Sequence, residues 1–235
     1  MRIRIDIGVK RLPITYRMLF VSLIKEAIKK GNGPLYHHLY EEKVNQPKKY
    51  SFAVYLSNFQ IEENLIELDG VKMTVSSSDP EIAVALINGF QQIETLDYRE
   101  WQMTINRIEL VKEKAINHPI VRFKTQSPIL LEDKQKKPLL LSDANFEEEM
   151  NFVTNQQFVA QYGRPLHQPL KIIEHRMKKQ VIKEKNHATK GEQLFFTGQK
   201  GMIELEGHIE DLKLIYQDGF LCRKSQGLGS LEVEV

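Results

Sequence analysis

The sequence predicts an α+β chain built from two successive units, each with the element order β-α-β-β-α-β. Three observations carry this. RIRIDIGV (2–9) alternates charged and apolar residues with the period of a strand. An apolar stripe at helical spacing follows it directly. The same succession of strand and helix signals resumes after a break at Ala115–Pro119.

In the first unit, Tyr16, Leu19, Phe20, Leu23, Ile24, Ala27 and Ile28 form the stripe, entered through Pro13 and Thr15 and stopped at Gly31-Asn32-Gly33. YSFAVYLS (50–57) reads as a strand, and 64–68 with 71–77 as a hairpin or bent strand around Asp69-Gly70. Asp79-Pro80 supplies an N-cap and a first-turn proline for a helix carrying Ile82, Ala85, Leu86, Phe90 and Ile93. Residues 101–111 close the unit as a strand. In the second unit, 120–131 opens as a strand that Ser127-Pro128 interrupts. Asp143 is the expected cap of a helix running to Tyr162, ended by Gly163 and Pro165. Residues 170–185 form a long strand or hairpin arm, 201–207 a strand, 208–217 a short helix and SLEVEV the final strand. This order is that of the ferredoxin-like, RRM-like unit, so the expectation is two tandem domains, 1–116 and 117–235.

Size and composition agree. A chain of 235 residues fits two small domains better than one large one. With 41% hydrophobic and 27% charged residues it is no disordered or low-complexity chain. The net charge of +2 does not by itself indicate nucleic acid, so any cationic surface must come from segregation of charge. The lone cysteine, Cys222, builds neither a disulfide framework nor a zinc site, and no signal-peptide core or membrane-spanning stretch is evident. A cytoplasmic protein with no membrane contact is expected.

Three stretches carry candidate chemistry. The tail GFLCRKSQGLGSLEVEV (219–235) sets Arg223, Lys224 and Ser225 among Gly219, Gly227 and Gly229. Such a turn is either a tight helix-to-strand connection or a cradle of backbone N–H groups for a phosphate. Residues 31–52 concentrate His37 and His38, Tyr36, Tyr40 and Tyr50, and Lys43, Lys48 and Lys49. If Pro34 starts a short helix, Tyr36 and His37 share a face with Tyr40 and His38 points elsewhere; in a loop, His38 serves as well. Residues 175–185 carry Arg176, Lys178, Lys179, Lys183 and Lys185, a solvated arm or an RNA-phosphate track. His118, His175 and His208 read as structural, while His167 and His187 lie in or near loops.

The tail resembles the C-terminal glycine-rich loop of the CRISPR-associated precursor-crRNA endoribonucleases of the RAMP superfamily. Gly219, Ser225, Gly227 and Gly229 match that loop; Leu221 stands where a second glycine is usual and Leu228 where Phe is common. LPITYRMLFVSLIKEAI, FKTQSPILL and GMIELEG are similar to the family's first helix, second-domain strand and penultimate strand. The resemblance implies two tandem ferredoxin-like domains and metal-independent cleavage of CRISPR repeat RNA, with no cofactor and no metal. The partners it implies are the repeat RNA and a Cas effector complex, with the protein a monomer or homodimer.

Cleavage of this kind needs a base for the 2′-hydroxyl, an acid for the leaving 5′-oxygen and a cation for the phosphorane. Histidine suits the first two tasks. The family histidine follows a Leu in this segment, where the present chain has Leu39 and then Tyr40. The catalytic candidates are therefore His37, His38 and Tyr40, with Lys48 and Lys49 for the phosphate. RNA contacts are expected from Gly219, Arg223, Lys224, Ser225, Gly227 and Gly229, and from Arg176, Lys178 and Lys179. The displaced histidine sustains an alternative, a non-catalytic RNA-binding subunit of an effector complex. An unrelated binding protein of this fold is more distant.

Overall fold

The computed structural model describes residues 1–185 and 193–234, so His187 lies outside the described residues. The first unit comprises strands β1 (Arg2–Gly8), β2 (Ser51–Ser57), β3 (Gly70–Ser76) and β4 (Trp101–Val111), with helices α1 (Arg17–Gly31) and α2 (Pro80–Gln91). Its antiparallel sheet has the order β2-β3-β1-β4, extended beyond β4 by Thr95–Tyr98. Ile3, Ile5 and Ile7 alternate inward from β1 into one apolar core with the α1 stripe and with Ile82, Leu86 and Phe90 of α2. The Asp79 carboxylate caps α2, accepting the Glu81 amide at 3.0 Å.

The second unit repeats the plan with β5 (Ile120–Thr125), α3 (Phe146–Tyr162), β6 (Lys171–Lys185), β7 (Gln193–Glu206), α4 (Ile209–Asp218) and β8 (Leu231–Val233). Its antiparallel sheet runs β6-β7-β5-β8, the same order in the same sense, over a separate core that includes Phe123, Met150, Phe158 and Leu212. Each half is thus a ferredoxin-like sheet with two helices. No described helix is long and apolar enough to cross a membrane.

Three local expectations are corrected. Residues 65–67 do not extend β3; they pair with Arg11–Pro13 and Gln60–Glu62 in a small separate sheet. The penultimate strand begins at Gln193, not 201, because it pairs along almost the whole of β6 to make a long two-stranded arm. Asp143 does not cap α3: the helix starts at Phe146, and the Asp143 carboxylate instead accepts the Leu140 amide at 2.7 Å, closing the turn before it.

Buried charges cross between the units in both directions. The Arg2 side chain, 1% exposed, leaves β1 and enters the second unit. There it donates to the Leu231 carbonyl at 2.8 Å, pairs with Glu232 at 2.5 Å and stacks 4.2 Å from the Tyr216 ring centroid. In return Asp218, at the end of α4, accepts the Ser78 amide at 2.6 Å and the Ser78 hydroxyl at 2.7 Å. Removing one partner of such a network strands the other in a dry site, which costs more than the pair itself contributes.

Helices α1 and α2 cross without intervening side chains. A Cβ at Gly89 would lie 1.7 Å from the Ala27 carbonyl oxygen, and one at Gly31 would lie 1.9 Å from that of Ala85. Helix propensity favours Ala over Gly by about 1 kcal/mol; overpacking here outweighs it. Gly89→Ala is expected to destabilise the protein by about 2–3 kcal/mol. The check is chemical denaturation, and a stability equal to or above that of the wild type would contradict the crossing geometry.

Candidate nucleic-acid interface at the domain junction

After α1 the Asn32 side chain accepts the Leu35 amide at 3.0 Å and starts a short helix, Gly33–His37, with Pro34 in its first turn. The helix widens into one π turn, His38–Glu42, closed by the Lys43 amide on the His38 carbonyl at 3.0 Å. A π turn holds one residue more than an α turn and so turns the following side chains away from simple helical register. Tyr40 turns into the domain junction. His38 lines a different cleft, and His37 lines neither.

Tyr40 is the first of three hydroxyls that link the two units. Its phenol lies 2.7 Å from that of Tyr50, which is fully buried and lines the same cleft as Ser225 of the glycine-rich turn. Burial pushes the Tyr50 phenol up to about 12, and burial together with Tyr50 pushes Tyr40 far above the ordinary tyrosine range. Both hydroxyls therefore remain protonated donors at working pH and are unsuited to act as bases.

Around these hydroxyls opens a cleft of about 660 Å³. Its walls come from α1 (Met18, Val21, Lys25), from 40–50, from α3 (Val153, Gln156, Gln157) and from Arg223, Ser225 and Gln226. A second cleft, about 230 Å³, contains His38, Lys43, Lys49 and Asp79. The two share Gln46, Pro47, Lys48 and Ala160 as a common wall.

His38 Nδ1 bonds Glu42 at 2.7 Å, and that bond holds the Glu42 carboxyl below the usual range. The contact orients the ring and leaves Nε2 available. His37 bonds Glu41 and is 57% exposed. Lys48 is nearly buried; its ammonium donates to the carbonyls of Lys43 and Gln46, the latter at 2.9 Å. Burial, then the neighbouring Lys25 and Lys43, lower its pKa. Lys49 stays half-exposed, 3.9 Å from Asp79 and 5.2 Å from the Tyr162 ring centroid.

The glycine-rich turn is built for contact with β2. Gly219 (φ +86°) leaves no room for a Cβ beside Ser51, nor Gly227 (φ +79°) beside the Phe52 ring. Gly229 (φ +70°) lies against the Phe220 carbonyl. Leu221 and Arg223 also have positive φ, at 66° and 57°. The amides of Phe220, Gln226 and Gly227 are bonded to carbonyls within the turn and those of Cys222 and Gly229 to the Leu130 and Pro128 carbonyls, so these positions are satisfied by the protein rather than open to an anion. Lys224 points inward, its ammonium donating to Gln161 Oε1 at 3.2 Å; burial lowers it to about 8, against the pull of Asp218. Arg223, Ser225 and Gln226 are the turn residues that reach the large cleft. The arm residues Arg176, Lys178 and Lys179 are exposed on β6 and line neither cleft.

Lys25, Gln156 and Gln157 escaped sequence reasoning. Met18, Val21 and Lys25 fall at i, i+3 and i+7, a second stripe beside the apolar one that could have signalled Lys25. Gln157, whose amide donates to the Leu221 carbonyl at 3.0 Å, carried no such signal.

The family model described as CRISPR associated protein Cas6, C-terminal, matches residues 111–233, more than half of the chain. The chain belongs to the Cas6 family. Its fold agrees throughout with solved Cas6 and RAMP structures. An RAMP protein binding different RNA substrates is 17% identical, with a TM-score of 0.80 and all of both chains covered. The product of a Cas6-related gene from Pyrococcus furiosus is 19% identical with a TM-score of 0.78, covering 100% of this chain and 98% of that one. Thermus thermophilus Cas6 in a product complex is 10% identical with a TM-score of 0.70, covering 99% of both. No curated protein matches in sequence.

The buried phenols of this Cas6 fold give a titration signature. An ordinary tyrosine ionises near 10, whereas the folded state retains the Tyr50 proton to about 12. The folded state therefore holds protons that the unfolded state has released, and stability falls as pH rises from about 10 towards 12. Phenolate absorbance should show a late fraction that shrinks in Tyr50→Phe; an unchanged late fraction would contradict the buried hydroxyl chain.

Proposed function

We propose that the protein binds CRISPR repeat RNA along the junction of two domains that divide near residue 116, and cuts it without a metal. The observation that carries this reading is the shared Gln46–Lys48 wall: a strand laid from Arg223 and Ser225 towards His38 crosses Lys48 on the way. His38 Nε2 removes the proton from a ribose 2′-hydroxyl, with Glu42 steadying the ring. The oxygen attacks the adjacent phosphorus, the P–O5′ bond breaks, and the imidazolium returns its proton to the leaving 5′-oxygen. Lys49, in the same cleft, supplies the cation for the phosphorane. The products are a 2′,3′-cyclic phosphate and a 5′-hydroxyl. Tyr40 positions RNA as a hydrogen-bond donor, Lys48 supports the ridge from below, and the arm residues Arg176, Lys178 and Lys179 hold flanking phosphates.

A second reading, binding without cleavage, is favoured by one observation. Among the described residues no imidazole lines the large cleft, and its phenols are held protonated, an arrangement that suits holding RNA rather than moving protons.

Repeat RNA from the same genome, incubated with the protein in EDTA, separates the two. Cleavage is expected, slowed about 10²–10⁴-fold by His38→Ala and by no more than a few-fold by His37→Ala. Full activity in His38→Ala would remove His38 from the mechanism. A wild-type protein that binds the RNA but cuts in neither EDTA nor magnesium would establish the second reading.

A further inference from the structure

A cluster outside both clefts has the chemistry of a metal site. His167, His208 and Glu210 each bring one ligand atom to within 4.8 Å of the others. They lie where the 163–170 connection meets the start of α4, and none of them lines either cleft. The His167 backbone amide donates to Asp211 Oδ2 at 2.7 Å, and its Nδ1 bonds Asp211 Oδ1 at 2.9 Å. Asp211 is fully buried and is neutralised by Arg164 at 2.8 Å. A carboxylate in that position fixes the imidazole tautomer: Nδ1 carries the proton and Nε2 presents its lone pair.

That lone pair faces Glu210. Nε2 and Glu210 Oε2 stand 3.8 Å apart, two acceptors too far apart to hydrogen-bond. His208 stacks on His167 with ring centroids 4.2 Å apart, and its Nδ1 is buried with no hydrogen-bond partner among the described residues. Two imidazoles and a carboxylate thus bring one potential ligand atom each into a space no more than 4.8 Å across. Bonds of about 2.0–2.1 Å to one ion bring tetrahedral ligand pairs to roughly 3.3 Å, so binding draws in the exposed Glu210 side chain and turns the stacked imidazoles so that one nitrogen of each faces the ion.

We propose that His167, His208 and Glu210 form a three-ligand site for a divalent transition ion of the zinc type, with water in the fourth position and Asp211 as the outer-shell partner of His167. Two imidazoles and one carboxylate select zinc-like ions over magnesium or calcium, which prefer all-oxygen shells. Bound there, the ion ties the 163–170 connection to α4, which leads into the glycine-rich turn. Its role is structural and separate from the cleavage chemistry.

The test uses tag-free full-length protein dialysed against chelator and titrated calorimetrically with Zn²⁺, then with Mg²⁺. One Zn²⁺ per chain is expected, with no comparable Mg²⁺ binding. Zn²⁺ at about 100 times its dissociation constant should raise the melting temperature by roughly 5–10 °C. Glu210→Gln, an exposed change that leaves the apo fold intact, and His208→Gln should each weaken binding at least tenfold; His37→Ala/His38→Ala should leave it unchanged. Absence of Zn²⁺ binding, or binding lost in the His37/His38 variant but kept in Glu210→Gln, overturns the proposal and leaves a plain His–Asp–Arg surface network.

Discussion

The last turn of the chain has to lie against strand β2 so closely that no side chain fits between them. Gly219 meets Ser51 and Gly227 meets the Phe52 ring, both at positive φ, where a Cβ would be strained as well as crowded. This contact brings Ser225 to Tyr50 and Arg223 to the mouth of the large cleft. The cleft belongs to neither domain alone: its walls are drawn from α1 and 40–50 on one side and from α3 and the final turn on the other.

The exchange of buried charges keeps the two halves in that relation. Arg2 is committed to Leu231, Glu232 and Tyr216, and Asp218 to Ser78 and Tyr162. Each end of the chain is thereby bonded into the opposite domain. The glycine turn sits between these anchors, since Asp218 immediately precedes Gly219 and Leu231 follows Ser230. Its register against β2 is fixed at both ends, and the bonded amides stiffen what lies between. The turn is rigid packing that sets Arg223, Ser225 and Gln226 on the wall of the large cleft, with Arg223 held against Glu132 and the Phe196 ring.

Most of the fold was legible because its signals are local. Alternation in 2–9, the α1 stripe and the Asp79-Pro80 cap each act within one element, and the element order alone led to the tandem arrangement. The failures lie where tertiary pairing overrides local preference. Asp143 had a better partner in the Leu140 amide than in a helix start, and β7 extends to Gln193 because β6 offers it an edge. At the site, the segment 31–52 and the glycine tail were visible as compositions. Nothing in the sequence ranked His38 against His37: successive residues on one helical turn point about 100° apart, and only the surrounding fold shows that His38 lines the cleft with Lys49 while His37 faces outward. The inward course of Lys224 was equally hidden, because a lysine between glycines reads as exposed until Gln161 is placed beside it.

The claim on which the rest hangs is that one RNA strand occupies both clefts across the Lys48 ridge. Amide hydrogen exchange with and without bound repeat RNA tests it most directly. Simultaneous protection of residues 38–50 and 221–229 is the expected result. Protection confined to the β6–β7 arm, with both cleft segments exchanging as in the free protein, would contradict a shared track.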